Sequence, residues 1–320
     1  MIYLSVFGYE NLPAGEAIAP MNPELSVVVC AYNMARELPR TIRSLSPTMQ
    51  RDVSASDYEI IVVDNGSTEP FDEEECRRWG ADLRIIRVDP EAASCSPARA
   101  LNRGIAEARG DLVGVMIDGA RLASPGLLSK AQAAARPHAK PMIGTIAFHI
   151  GPKVQMQSVR EGYDQAVEDR LLAQSGWEED GYRLFSISSL AGSSSGGWFE
   201  LPNESNAVFL RSAHWHELGG LDERFTTPGG GLLNLDTWSR ICADREGELI
   251  VLLGEATFHQ FHGGVATNSL DPPKRLFHEE YIRIRGRRFT KPTRQPLYFG
   301  SLSDAVKPSL NPIDWRDDST

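Results

Sequence analysis

Three polar residues that could bind a ligand stand where short apolar stretches of the chain end. Asn33, Asp64 and Asp118 each follow a mostly aliphatic segment of the kind that forms a buried strand. An ionised carboxylate is costly to bury unless a cation, a hydrogen-bond donor or solvent meets it. The two aspartates therefore predict a ligand or metal site or, as the simpler alternative, caps of the turns that follow them.

The segments that must position these residues alternate between strand and helix patterns. Strands are predicted at 25–31, 58–63, 83–88 and 112–117, with helices at 35–45, at 73–79 and after residue 97. This order is typical of an α/β protein with a mostly parallel, doubly wound sheet. The carboxyl ends of such strands converge on one crevice, so we expect the three polar residues to lie together there.

The second half of the chain is less regular. It predicts a helix over 157–173, strands at 206–210 and 249–253, and a flexible loop at 190–197. Trp198 and Phe199 follow this loop, and a mobile loop with aromatic residues is suited to close over a substrate. Packing in the core is the commoner use of such aromatics.

Composition excludes several classes of protein. The 320 residues carry a net charge of −10, which disfavours general nucleic-acid binding. The aliphatic runs are too short for a transmembrane segment, and the first residues lack a signal-peptide pattern. Four dispersed cysteines without a CxxC pair suit a reducing compartment, so the sequence predicts a cytoplasmic location.

A cluster of basic residues runs from Lys274 to Arg294. Within it the only acids are Glu279 and Glu280. Such a cluster favours contact with phosphates or with an anionic membrane surface, which would make the protein peripheral at the membrane. The alternative is a solvated helix face.

Several motifs, taken together and in order, resemble family 2 glycosyltransferases of the GT-A fold. The matching segments are 26–33, 59–68, 100–105, 108–111, 117–118 and 219–225. The resemblance covers roughly residues 24–265 and implies a GT-A domain with a nucleotide-sugar-binding half, 24–122, and an irregular acceptor half, 123–265. Residues 1–23 are then an amino-terminal extension, and 266–320 a basic helix and tail.

The resemblance also implies a donor and a cofactor. The donor is a nucleotide sugar, and the acceptor is a hydroxyl group of a glycan, a lipid-linked sugar or a small molecule. A UDP-sugar is the predicted donor because the Asp64 carboxylate can accept a hydrogen bond from the imide N–H of uracil. Asp64 would contact the base, and a divalent ion, Mn²⁺ or Mg²⁺, would bridge the diphosphate. The donor site would include Ala31, Tyr32, Asn33, Asp64, Arg99 and Asp118. A solvent-facing charge is the alternative interpretation of Arg99.

The metal motif of this chain departs from the family pattern. It reads Asp118-Gly119-Ala120, so the second acid is missing. One carboxylate suffices for a hard cation when phosphate, water or another side chain completes its coordination. His262 first and His259 second are the candidates, although isolated histidines are more often structural.

The catalytic base is the second departure. The resemblance puts Asn234 at the usual place of the base in inverting members, and an amide is not basic. Asp236, the nearest carboxylate, is the predicted base. Its alternative role is a first-turn helix acid paired with Arg240, and Glu200 and Glu204 are the alternative bases.

Two other functions stay open at this stage. Ala120 and Asn234 favour a degenerate GT-A-like module that binds a nucleotide or a glycan without catalysis. A sugar nucleotidyltransferase also needs an α/β nucleotide fold with acidic metal ligands, but residues 30–35 lack the glycine-rich basic loop of that class. The sequence thus favours an inverting glycosyltransferase of the hexosyltransferase type, assisted by a metal.

Overall fold

The structure is a computed structural model that describes residues 22–79, 82–265 and 267–307. Most of the predicted amino-terminal extension and the end of the predicted tail lie outside these ranges. The domain boundaries at residues 122 and 265 therefore stay predictions.

The described residues contain ten strands and nine α-helices, joined by turns and short 3-10 segments. The strands are β1 (Leu25–Ala31), β2 (Tyr58–Asp64), β3 (Asp82–Arg87), β4 (Leu112–Met116), β5 (Arg121–Ala123), β6 (Pro141–Ile150), β7 (Ser188–Leu190), β8 (Ala207–Arg211), β9 (Glu248–His259) and β10 (Leu297–Gly300). The helices are α1 (Glu37–Ser44), α2 (Glu73–Arg77), α3 (Ala98–Ala106), α4 (Leu127–Ala135), α5 (Gln155–Ser158), α6 (Gln165–Ser175), α7 (Ser212–Leu218), α8 (Leu233–Ala243) and α9 (Lys274–Arg285).

One mixed sheet organises these elements. Its main path runs β10-β9-β6-β8-β4-β1-β2-β3, with β5 added to β9 and β7 added to β6. Along the main path all neighbours are parallel except β8, which runs antiparallel to both β4 and β6. The predicted α/β fold with a mostly parallel central sheet is confirmed.

The first half forms by alternation of buried strands and amphipathic helices. β1, β2 and β4 are buried along their whole length, as expected of parallel strands covered on both faces. Leu38 and Ile42 of α1 pack into the core on one face, and Leu101 and Ile105 of α3 pack on the other. Helices on both faces thus fix the strands, and with them the edge where the strands end.

The second half is built on two long strands, of which the sequence predicted one only in part and the other not at all. β9 continues six residues past the predicted end, from Leu253 to His259, and β6, which had no predicted counterpart, pairs with it in parallel. Polar residues such as Thr257 interrupt the apolar pattern yet are fully buried. The extension matters because it carries His259 to the sheet edge.

Two other expectations for this half were wrong. The predicted helix over 157–173 is two helices, α5 and α6, because Gly162 has a positive φ of 90° that ends the first turn. Trp198 is a core residue packed against Phe148 and Phe185, not part of a mobile closure. Phe199 beside it is 62% exposed.

Helix α9 packs on the body of the protein through Phe277, Tyr281 and Arg285. The two aromatic residues enter the core that contains α8, and Arg285 pairs with Asp222 and Asp236. Part of the predicted basic cluster is therefore committed to packing. None of the helices in the described ranges is long and apolar enough to cross a bilayer.

Candidate functional site

Strands β1, β2 and β4 end at the same edge of the sheet. Ala31, the last residue of β1, pairs with Asp64 at the end of β2. The last residue of β4, Met116, pairs with Val29 of β1, and Asp118 follows two residues later. The structure therefore brings Asp64 and Asp118 to one edge, as their positions after parallel strands predict.

Asn33 ties together the two loops that leave this edge. Its φ is 50°, a left-handed conformation that asparagine tolerates better than most residues. Its side-chain oxygen accepts hydrogen bonds from the backbone N–H groups of Thr68 (2.8 Å) and Glu69 (3.1 Å). Asn33 thus shapes the rim, while its neighbour Tyr32 is 51% exposed beside it.

A cleft of about 300 Å³ opens at the end of β2. Its lining includes Asp64, Ser67 and Arg87. Asp64 accepts a hydrogen bond from the backbone N–H of Ser67 (3.0 Å) and forms an ion pair with Arg87 (2.9 Å). Each carboxylate oxygen keeps a further lone pair, and the arginine keeps further N–H donors. The pair can therefore present an acceptor and a donor to the edge of one ligand.

Asp118, His259 and His262 form a group that could hold a cation. One ligand atom from each lies within 4.8 Å of the others, and the Nε2 atoms of the two histidines are 3.2 Å apart. His259 ends β9 and pairs with Arg121 of β5, only three residues after Asp118. The pairing of β5 with β9 is therefore what joins residues 141 positions apart in sequence.

Hydrogen bonds set the tautomer of His259. Gln155 donates from Nε2 to the His259 carbonyl oxygen (2.9 Å), so its Oε1 faces the ring and accepts from Nδ1 (2.5 Å). Asn268 donates to the same Oε1 (3.0 Å). With the proton on Nδ1, the lone pair of Nε2 points toward His262. This is the arrangement in which an outer partner orients a metal-binding imidazole.

Burial keeps the imidazoles of this region neutral. Desolvation lowers the pKa of His259 well below its usual value, and it lowers that of His262 against the opposing charge of Asp118. His149 of β6, whose ring centroid lies 5.5 Å from that of His259, has its pKa lowered to about 3, chiefly by burial. Neutral imidazole is the form that ligates a metal.

Arg121 and His149 are site residues that sequence reasoning missed. Arg121 donates from Nε to Asp118 (2.9 Å) and is only 7% exposed. Its buried Nη1 has no hydrogen-bond partner within the described part of the chain. The signal that could have found them is a single polar residue at the edge of an apolar stretch, as Arg121 precedes Leu122 and Ala123 and His149 lies between Phe148 and Ile150.

Arg99 occupies a more peripheral position. It lies on α3, its side chain is 68% exposed, and its contact is an ion pair with Glu223 at 3.4 Å. This geometry is that of a solvent-facing helix charge. Its role toward a donor phosphate stays a prediction.

Asp236, the predicted base, lies in a buried ion cluster. It is 1% exposed and accepts hydrogen bonds from Arg285 (2.6 and 2.5 Å) and from Arg240 (3.0 Å). The Arg240 pair is the i,i+4 contact that the sequence suggests. Both oxygens of Asp236 are thus engaged by guanidinium groups, an environment that suits packing of α9 on α8 better than proton abstraction.

Asn234 faces a different direction from Asp236, since two residues of a helix differ by roughly 200° in orientation. Its Nδ2 donates to Glu204 (3.0 Å) and to Asn206 (2.9 Å). The backbone oxygen of Asn206 accepts from the N–H of Ile117 (3.3 Å), the residue before Asp118. Glu204 therefore lies on the Asp118 side of α8. Glu200, on the same loop, is exposed.

Comparisons with known proteins agree on the family. A model of Glycosyl transferase family 2 matches residues 26–188, about half of the chain. The validoxylamine A glucosyltransferase of Streptomyces hygroscopicus subsp. jinggangensis is 29% identical over 220 residues, which cover 65% of this chain and 49% of that protein. Its counterpart in subsp. limoneus is 28% identical over 236 residues, or 68% and 49%. The chain thus spans about half the length of these curated relatives.

Solved structures with a similar fold are more distant. TarS of S. aureus (residues 1–349, with UDP-GlcNAc) is 16% identical, with a TM-score of 0.48 over 81% of this chain and 66% of that one. The mannosyltransferase PcManGT of Pyrobaculum calidifontis, with GDP-Man and Mn²⁺, is 19% identical, with a TM-score of 0.39 over 70% and 53%. Neither superposition carries a residue role over to this chain. On the family match, this chain belongs to Glycosyl transferase family 2.

Proposed function

We propose that this chain transfers a hexose from a nucleotide-sugar donor, preferably a UDP-sugar, to a hydroxyl group with inversion and with the help of Mn²⁺ or Mg²⁺. The observation that carries the proposal is the group of Asp118, His259 and His262 at the sheet edge that also holds the Asp64 cleft. Family membership supports the reaction class.

The residues present fit a divalent ion. They offer one carboxylate oxygen and two imidazole nitrogens, and the Nε2 lone pair of His259 is directed at the site by Gln155. An ion bound by these residues would offset the charge of the donor diphosphate as it leaves. The missing acid at Ala120 leaves few protein ligands, so we expect metal and nucleotide to bind tightly only together.

The chain's own residues would then hold the donor. Asp64 would accept from the imide N–H of uracil while Arg87 donates to an adjacent carbonyl. The cleft of about 300 Å³ beside Asp64 and Arg87 is where the uracil ring would lie. The unpartnered Nη1 of Arg121 is placed to donate to a phosphate oxygen.

The reaction is a single displacement. A carboxylate removes the proton of the acceptor hydroxyl, the oxygen attacks the anomeric carbon, and the bond from that carbon to the diphosphate oxygen breaks. Attack from the face opposite the leaving group inverts the configuration. Asp236 was the predicted base, and this role stays a prediction.

Calorimetric titration of UDP with and without Mn²⁺ tests the proposal. We expect Mn²⁺ to tighten UDP binding by at least about tenfold in the wild type and not in Asp118→Asn. Asp111→Asn is the matched control, because Asp111 precedes β4 just as Asp118 follows it. Equal UDP affinity with and without Mn²⁺ in the wild type would rule out a bridging ion.

Two further measurements separate the competing functions. CDP, whose base lacks the imide N–H, should bind more weakly than UDP by on the order of 1–3 kcal/mol, and Asp64→Ala should remove that difference. UDP release from UDP-glucose and UDP-N-acetylglucosamine reports turnover. Tight UDP binding without any UDP release would favour a binding module, and pyrophosphate release from UTP plus a sugar phosphate would favour a nucleotidyltransferase.

A further inference from the structure

Glu204 is an acid of the second half that forms no ion pair within the described residues. Its side chain accepts a hydrogen bond from the amide of Asn234 (3.0 Å). The carboxylate is half-buried. An amide donor orients a carboxylate without adding the positive charge that an arginine would bring to it.

The position of Glu204 is set by residues on both sides. Trp238 of α8 donates to the carbonyl of Pro202 (2.9 Å), and the Ser205 hydroxyl accepts from the backbone N–H of Thr145 (2.8 Å). Glu204 therefore sits between two anchored points of the loop. Asn234 then holds its side chain, so the carboxylate has a fixed place.

That place is at the edge where Asp118 lies. In the antiparallel pair of β4 and β8, Met116 lies opposite Ala207, so the amino end of β8 meets the carboxyl end of β4. Asn206, one residue before β8, accepts from Ile117, one residue after β4. Glu204 thus approaches the edge from the β8 side while Asp118 leaves it from the β4 side.

We infer that Glu204 is the general base that deprotonates the acceptor hydroxyl, and that Asn234 is its positioning residue. The inference rests on the proposed transfer reaction. The hydroxyl proton goes to a Glu204 oxygen, the hydroxyl oxygen forms the new bond to the anomeric carbon, and the electron pair of the broken bond leaves with the diphosphate. The proposed base thus lies on the loop before β8, and the residue of α8 that faces it is the amide Asn234.

Glu204→Gln tests this inference because the amide keeps the size and the hydrogen bond to Asn234. UDP release from UDP-glucose or UDP-N-acetylglucosamine with water as acceptor should fall by about 10²- to 10⁴-fold in kcat. The affinity for UDP with Mn²⁺ should stay within about twofold of the wild type. Glu246→Gln, which changes an acid whose side chain is 83% exposed, is the control and should retain full turnover.

The pH profile distinguishes a base from a merely structural residue. For a general base, the acid limb of kcat/KM seen in the wild type should disappear in Glu204→Gln. In the double variant Glu204→Gln/Asn234→Asp, the carboxylate and the amide of this hydrogen-bonded pair exchange places. Its kcat should be at least tenfold higher than that of Glu204→Gln alone.

The outcomes are distinct. A wild type that releases no UDP from any UDP- or GDP-sugar overturns the proposed function itself. A turning-over wild type with an equally active Glu204→Gln overturns only the role of Glu204. Loss of UDP binding along with turnover in Glu204→Gln would make this residue part of the donor site, which also contradicts the inference.

Discussion

Asp118 and Asp236 are both candidate functional acids, but the protein places different amounts of positive charge around them. Asp236 meets two guanidinium groups through three hydrogen bonds and is 1% exposed. Asp118 meets one arginine, and its side chain is 21% exposed beside two histidines that burial keeps neutral. Two guanidinium groups thus surround Asp236, whereas Asp118 has one guanidinium group, the backbone N–H of Ala120 (3.0 Å) and partial exposure to solvent.

The comparison teaches how to separate structural from functional acids in this chain. A carboxylate whose charge is matched within the protein stabilises packing, since its arginines would otherwise be buried unpaired. A carboxylate such as Asp118, with a single arginine on one side and neutral imidazoles on the other, can also accept a cation from outside. Glu204 receives its hydrogen bond from the neutral amide of Asn234 and so meets less positive charge than either aspartate.

The largest expected effect is that of an Asp236 substitution on the free energy of unfolding. Asp236→Asn leaves Arg240 and Arg285 without a counter-charge, so we expect the free energy of unfolding to fall by about 3–5 kcal/mol in urea titration. Asp304→Asn, which removes an exposed pair with Lys307, should change it by less than about 1 kcal/mol. An Asp236→Asn protein of unchanged stability that has lost turnover would restore Asp236 as the base.

The next largest effect is expected on the metal affinity of the group formed by Asp118, His259 and His262. Gln155→Leu removes the acceptor that fixes the proton on His259 Nδ1, so Mn²⁺ affinity in the presence of UDP should fall by about 10- to 100-fold. The free Mn²⁺ signal in electron paramagnetic resonance measures this directly. Gln157→Leu changes an exposed residue of the same helix and should bind Mn²⁺ like the wild type. Equal affinities for all three proteins would mean that His259 is not a ligand.

The sequence predicted the donor side of this site better than the rest. Strand β1 has the predicted bounds, and β2 and β4 differ by one residue at their ends, because short, mostly aliphatic segments bounded by polar residues favour a buried strand. Asp118, His259 and His262, proposed from residue types and the family resemblance, lie close enough together to hold a metal ion. Ligation itself remains a proposal.

Contacts between segments that are distant in sequence could not be predicted. Arg285 lies 49 positions from Asp236, and Glu204 lies 30 positions from Asn234. No local pattern connects such pairs, whereas Arg240 and Asp236 share one helix face. Gln155 and His149 were missed for the same reason, since their importance depends on β6 lying beside β9.

A smaller effect follows from the neutral imidazoles. The pKa of His149 is about 3 in the folded protein against an ordinary 6.5, so below pH 6.5 the unfolded chain binds a proton that the folded chain does not. Stability should therefore fall by about 1.4 kcal/mol per pH unit for this residue as pH drops from 6.5 toward 3. His149→Gln should lose this contribution and show a shallower fall in urea titrations.

Glu168 has the opposite effect on the pH dependence of stability, so the experiment must separate its contribution from that of His149. Burial raises its pKa to about 7 from 4.5, so between these values the folded chain binds the extra proton and gains stability as pH falls. The difference between wild type and His149→Gln cancels this contribution because both proteins retain Glu168. Identical pH slopes for the two proteins would show that His149 takes up a proton in the folded state.

The smallest expected effect is on membrane binding through α9. This helix carries one arginine that is held in an ion pair with a buried acid and others that are exposed. Arg285 is matched by buried Asp236, whereas Arg275 has only a solvent-exposed ion pair with Glu279 (3.5 Å) and a side chain that is 91% exposed. Leu276 and Ile282 near it are exposed apolar residues. Exposed cations beside apolar side chains suit an anionic membrane surface, where each charge contributes about 1 kcal/mol to binding.

Arg275→Gln should therefore weaken flotation with phosphatidylserine vesicles about fivefold, and more salt should weaken it further. Arg160→Gln, an exposed arginine on another segment, is the control. If the wild type fails to float at low salt, the exposed cations of α9 are a solvated helix face, because the net charge of −10 then outweighs this local attraction.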